Sequence, residues 1–265
     1  MSVVRVGCVE YLNARPLVHG LDQRSDLFSL RFDVPARCAS WLHEREVDLA
    51  LIPTIEYLRG PDYRIVPDLA VTSDGPVASV AIFTKRPTTA IRSIAIDSSS
   101  RTAVALLRIL CAQWFDIEPT FVKMRPDLPA MLKRCDAALL IGDVALFTEH
   151  ETTDLEKVDL GEEWTAMTSL PFVWAFWAGR PGAVEPAHVE ALRAARVSGE
   201  AALDEITAAH GPDDEDEAAL ARTYLDTNVQ FALNGECLAG LKKFFGAARD
   251  LGIVQQAVSV RFFES

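Results

Sequence analysis

The stretch Asp97-Ser98-Ser99-Ser100-Arg101-Thr102 follows the apolar run 94–96 and opens a helical pattern. A strand-to-helix turn of this kind exposes unpaired backbone N–H groups at the positive end of the helix dipole. With the hydroxyls of Ser98, Ser99, Ser100 and Thr102 and the guanidinium of Arg101, it has the parts of a carboxylate or phosphate site. Ser and Asp also serve as ordinary helix caps, but three serines followed by an arginine exceed what capping requires. A second polar turn is Tyr11-Leu12-Asn13-Ala14-Arg15-Pro16-Leu17. It follows a buried-strand pattern at 3–9, and Pro16 suits the first turn of a helix. Asn13 and Arg15 would stand at the carboxyl end of a strand, where open α/β sheets bind ligands. A purely structural turn with a solvated arginine fits the same residues.

Other polar residues interrupt apolar runs. Pro53 and Thr54 end the run 47–52 and read as a strand stop or as part of a site. Ser79 breaks the strand-like 77–84, where its hydroxyl either satisfies a backbone group or faces a cleft. Asp143 ends the strand 137–142 and could orient a substrate hydroxyl, act as a general acid or base, or cap a short helix. The five histidines are dispersed without ligand spacing, and His188 and His210 read as solvated tail residues. No Ser-His-Asp order, P-loop or GxGxxG fingerprint occurs.

The elements that must position these residues alternate through the first two thirds of the chain. Strands are expected at 27–34, 47–52, 65–71, 77–84, 94–96, 120–123, 137–142 and 171–178. Helices are expected at 36–45, 101–115 and 128–133. Thr72-Ser73-Asp74-Gly75-Pro76 is a turn signal. A helical tail follows, at 185–210, 217–225 and 236–251, the last ending at Gly252. Alternating βαβ units with a helical tail predict an α/β fold of two lobes. Crossovers within 82–87 and 174–179 would give residues 1–86 plus 176–265 as lobe one and 87–175 as lobe two, a hinged clam-shell.

Composition narrows the function. The 265 residues are 49% hydrophobic and 24% charged, an ordinary globular balance. A formal net charge of −12 argues against nucleic acid or an anionic membrane as partner. A locally cationic pocket for a small anion remains open. The five cysteines lack a CxxC pair, so neither a disulfide framework nor a zinc site is expected. No basic leader with a long apolar stretch begins the chain, and the protein is expected to be cytoplasmic.

Several segments together resemble the chorismate dehydratases of the futalosine route to menaquinone. They are Tyr11 to Leu17, Asp48-Leu49-Ala50-Leu51-Ile52-Pro53, Pro76-Val77-Ala78-Ser79-Val80, Asp97 to Leu107, Ala138 to Leu146, Leu160-Gly161-Glu162-Glu163-Trp164 and Leu170 to Ala175. The resemblance runs through essentially the whole chain in order. It implies a fold similar to type 2 periplasmic binding proteins, with the helical tail on lobe one and the active site in the cleft. It also implies conversion of chorismate to 3-[(1-carboxyvinyl)oxy]benzoate and water, with no metal or organic cofactor. Candidate catalytic residues are Asn13 and Ser79. Candidate substrate-binding residues are Tyr11, Arg15, Pro53, Thr54, Ser98, Ser99, Ser100, Arg101, Thr102, Asp143 and Phe172. Two alternatives share the fold, a 1,4-dihydroxy-6-naphthoate synthase-type enzyme and a non-catalytic small-anion binder. The first typically carries a His where Ile141-Gly142-Asp143 stands here, and the second works outside the membrane.

Overall fold

The computed structural model describes residues 2–97, 99, 101–149, 154–212, 214–255 and 259–264. Ser98 and Ser100 lie outside the described residues. The chain opens with strand β1 (Val4–Val9), then a single 3-10 turn (Leu12–Ala14) and the short helix α1 (Arg15–Val18), with Pro16 in its first turn. Next come β2 (Phe28–Asp33), α2 (Pro35–His43), β3 (Leu49–Pro53), α3 (Thr54–Tyr57) and β4 (Arg64–Ser73).

A second series follows: β5 (Val80–Thr84), β6 (Ser93–Asp97), α4 (Arg101–Gln113), β7 (Thr120–Met124) and α5 (Leu128–Arg134). It continues through β8 (Ala137–Ile141), α6 (Gly142–Leu146), β9 (Glu156–Asp159) and α7 (Leu160–Thr168). Strand β10 (Phe172–Gly179) leads into α8 (Pro186–Ala201), α9 (Leu203–His210) and α10 (Glu215–Thr223). A π-turn (Tyr224–Asn228), β11 (Gln230–Ala232) and α11 (Gly235–Asp250) complete the elements.

These strands form two sheets, one per lobe. The first has the order β11-β4-β10-β3-β1-β2 and the second β7-β6-β8-β5-β9. β1 pairs in parallel with β2 and β3, and β6 with β7 and β8, while β10 and β5 run antiparallel to their neighbours. The expected two-lobed architecture is therefore present, but the chain changes sheets earlier than the turn pattern suggested. β5 pairs with β8 and β9, and all of β10 belongs to the first sheet, so the crossovers fall at 74–79 and 169–171. The apolar sequence of β5 gives no sign of which sheet it joins. Asp159 fixes the first crossover by accepting the Val77 and Ala78 N–H groups at 3.0 and 2.6 Å.

Alternation builds the core of lobe two. Ala81, Phe83, Ala95, Ala138 and Leu140 form one cluster with Met131 of α5 and Ala145 of α6. Ile82, Ile94, Ile96 and Leu139 point the other way, into the cluster that also holds α4. In lobe one, Ala202 interrupts the expected 185–210 helix, and His188 is buried rather than solvated. Its Nδ1 accepts the Glu185 N–H at 3.1 Å, part of a capping box that starts α8. Trp114 lies past the end of α4 rather than inside the expected helix 101–115, and it is 45% exposed. No helix among the described residues is long and apolar enough to cross a membrane.

Candidate active site

Four parallel-strand ends converge between the lobes. β1 runs into the Tyr11–Arg15 turn, β3 ends at Pro53, β6 at Asp97 and β8 at Ile141. Between them lies a cavity lined from both lobes, the kind of position between domains at which small-molecule sites form. Its polar wall residues are Tyr11, Asn13, Ser99, Arg101 and Thr102. Apolar side chains supply the rest, among them Val9, Leu51 and Trp174 from lobe one and Val80 and Ile141 from lobe two.

Hydrogen bonds close the lobes around this cavity. Leu12 N–H donates to Asp143 Oδ1 at 3.1 Å, and Ile55 N–H donates to Thr102 Oγ1 at 3.2 Å. Arg101 Nη1 reaches Glu56 Oε2 at 2.7 Å, while its Nη2 donates to Ser40 Oγ at 3.1 Å. The Tyr11 hydroxyl lies close to Ser99, and burial pushes its pKa up to about 12. Its ring packs on Gly142, whose φ of +64° and lack of a side chain permit the approach; a Cβ there would stand 2.8 Å from the ring.

Glu56, 1% exposed, is the most compensated carboxylate of the site. Burial by itself would raise its pKa, but the His43 hydrogen bond and the Arg101 and Arg59 guanidinium groups outweigh it and bring the pKa to about 2. His43 Nε2 stands 2.9 Å and Arg59 Nη1 2.6 Å from its oxygens. Two arginines against one carboxylate leave a local cationic excess at the Arg101 end, on an otherwise acidic protein.

The expected site residues divide accordingly. Tyr11, Asn13, Pro53, Ser99, Arg101 and Thr102 line the cavity. Ser99 is less available than its hydroxyl suggested, since its N–H and hydroxyl both donate to Asp97, at 2.9 and 2.6 Å. Thr102 accepts from Ile55 yet keeps its own O–H.

Arg15 is not at this cavity. Its guanidinium lies 5.3 Å from the Phe32 ring and borders a separate surface hollow with His19 and His210. Thr54 is wholly buried and donates to the Val173 carbonyl at 2.7 Å, tying α3 to β10. Phe172 is also buried, its ring 4.4 Å from Trp174 and 5.0 Å from Phe244, so Trp174 faces the cavity in its place. Asp143 clasps the Leu12 amide, with burial raising its pKa.

Ser79 is 1% exposed and stands behind the wall, its hydroxyl 2.7 Å from that of Tyr224. The Asn13 side chain also lies close to the Tyr224 hydroxyl. Sequence reading missed Tyr224, Glu56 and Trp174. A tyrosine 145 residues from Ser79 gives no local signal, whereas the acid of Thr54-Ile55-Glu56 in a buried turn was open to notice. Among the described residues, no cluster of three or more His, Cys, Asp or Glu side chains is arranged to hold a metal ion.

Comparison with known proteins agrees with this geometry. A chorismate dehydratase of Thermus thermophilus is 33% identical over 256 residues, covering 90% of this chain and 93% of that protein. A crystal structure of an Archaeoglobus fulgidus protein superposes with a TM-score of 0.78 at 19% identity, covering 95% of this chain and 98% of that one. The periplasmic aliphatic sulphonate binding protein of Escherichia coli gives 0.66 at 15% identity, covering 100% and 94%. The fold is thus that of the periplasmic binding proteins. A family model described as menaquinone biosynthesis matches residues 4–250. The chain belongs to that menaquinone biosynthesis family.

Proposed function

We propose that this protein is a dehydratase acting on chorismate, a carbon–oxygen lyase that releases water and leaves 3-[(1-carboxyvinyl)oxy]benzoate. The observation that carries the reading is the interlobe cavity, apolar along its walls, with Arg101 on one side and the Asn13 amide on the other. Likeness to the Thermus thermophilus dehydratase supports the substrate.

Chorismate carries two carboxylates and an apolar ring. In this reading one carboxylate lies at the cationic end formed by Arg101, with the Thr102 hydroxyl as a further donor. Arg101 is favoured over Ser99, whose donors are taken by Asp97. The ring lies along the apolar walls, and Asn13 stands beside the reacting carbons. The ring proton next to the enolpyruvyl ether leaves, and so does the neighbouring hydroxyl; together they make the water, and the ring becomes aromatic. A neutral amide is too weak a base to remove that proton. A substrate carboxylate takes it, and Asn13 holds the substrate in the geometry that allows this.

Incubating the purified protein with chorismate and following product mass tests the proposal. The expected product has lost one water, and recovery of unchanged chorismate overturns the reading. Asn13→Ala should lower kcat by about 100-fold, the usual cost of removing one oriented polar group from a site. Full turnover by that variant would take Asn13 out of the mechanism.

A further inference from the structure

A buried polar chain runs from the crossover between the lobes to the cavity wall. Tyr224 is 1% exposed and occupies the first position of the π-turn Tyr224–Asn228. Such turns recur at functional positions, because widening the helix displaces a side chain from its regular surface. Here the displaced ring brings its hydroxyl 2.7 Å from Ser79 Oγ and close to the Asn13 side chain. At the other end of the turn, Asn228 Nδ2 donates to the Pro76 carbonyl at 3.0 Å, seating the turn on the crossover that carries Ser79. Of these groups, Asn13 lines the cavity.

We infer that Tyr224 is a positioning residue for the dehydration: its hydroxyl joins the Ser79 hydroxyl to the Asn13 amide and fixes which end of that amide faces the substrate. The inference rests on the chorismate reading of the same cavity. A phenol has a single proton to donate, which makes the chain directional. When Tyr224 donates to the Asn13 carbonyl oxygen, Ser79 donates to the phenol oxygen and the Asn13 NH2 faces the cavity. When Tyr224 donates to Ser79, the Asn13 NH2 donates to the phenol oxygen and the carbonyl oxygen faces the cavity. Both orders pair the buried hydroxyls. Both also tie the amide's orientation to the position of the Ser79 proton, across two lobes of the molecule. Phenylalanine at 224 removes the tie and leaves the amide free to turn.

The experiment is steady-state turnover of chorismate by wild type and Tyr224→Phe, with thermal melts of both. The expected result is a kcat lowered roughly 10- to 100-fold, the scale of a lost alignment, with KM changed less than about threefold. Adding Ser79→Ala to Tyr224→Phe should cost less than the product of the two single effects, because both cut the same chain. A kcat within about twofold of wild type overturns the inference, as does a rise in KM that accounts for the whole loss. Should Tyr224→Phe fail to fold, Asn228→Ala decides. This partly exposed change unseats the turn and should lower kcat severalfold at constant KM, and an unchanged kcat overturns the inference. A wild type that leaves chorismate intact overturns the substrate reading and the inference together. Wild-type turnover beside an undisturbed variant overturns the inference alone.

Discussion

Two carboxylates reach across the cleft in opposite directions, and the molecule holds them in opposite ways. Glu56 of lobe one sits among His43, Arg59 and Arg101, the last supplied by lobe two. Asp143 of lobe two accepts the Leu12 N–H of lobe one. Both are largely removed from water, which disfavours charge on each. Surrounding cations reverse that penalty for Glu56 and bring its pKa to about 2, while the Leu12 amide and the charge of Arg15 do not offset it for Asp143, whose pKa stays raised. The contrast separates a clasp that stays charged at ordinary pH from one that costs little and responds to protons. It also explains why Arg101 is pre-set at the cavity: Glu56 and Ser40 hold two of its nitrogens before any ligand arrives.

The sharpest way to break this comparison is Glu56→Ala. Removing the acid strands three basic side chains around a buried hole, and loss of a buried ion partner costs about 3–5 kcal/mol. For a chain of this size that corresponds to a Tm lower by roughly 10 °C. A melt within a few degrees of wild type would mean that Glu56 is no stronger a clasp than Asp143.

Acid titration should come next in effect. Glu56 is lowered from its ordinary 4.5 to about 2, so its stabilisation is complete above 4.5 and is lost as pH falls towards 2. Asp143 is raised above its ordinary 3.8, so its contribution has the opposite sign. That contribution is complete below 3.8 and is lost as pH rises through the elevated native pKa. Urea unfolding followed from pH 2 to 6 should therefore show a steep acid loss in wild type that flattens in Glu56→Gln. An acid limb unchanged by that substitution would contradict the assignment.

The smallest effect belongs to Asp143→Asn. An amide oxygen still accepts the Leu12 N–H, so stability at neutral pH should change by less than about 1 kcal/mol, with the Asp143 titration gone. A loss comparable to that of Glu56→Ala would make the two clasps equivalent.

Much of this arrangement was legible in the chain and some was not, for physical reasons. Period-two alternation and Gly/Pro punctuation located the strands that end at the cavity, since local sterics and burial determine them. The turns at Tyr11 and Ser99 were legible as polar breaks after apolar runs. Side-chain direction within them was not. Asn13 and Arg15 are two residues apart in one turn, yet one lines the cavity and the other stacks on Phe32. The crossover positions were also hidden, because β5 is apolar from Val80 to Phe83 and would suit either sheet. Glu56, His43 and Arg101 come from three separate segments, and only the fold makes them neighbours. Tyr224 is the extreme case, a helical tail residue whose partner Ser79 lies in the first crossover and whose neighbour Asn13 lies in the turn after β1.

The strand order of lobe one also bears on how the protein must be made. The strands of the second sheet come from one uninterrupted stretch, Val80 to Asp159. The first sheet is split, because β10 lies between β3 and β4 and hydrogen-bonds both, yet it is synthesised after all of lobe two. A ribosome therefore delivers the material for a whole second lobe while β3, apolar along its length, still has an open edge. Such edges invite pairing with other chains. The interval between synthesis of Ser73 and of Gly179 is when the nascent chain is most exposed to misassembly.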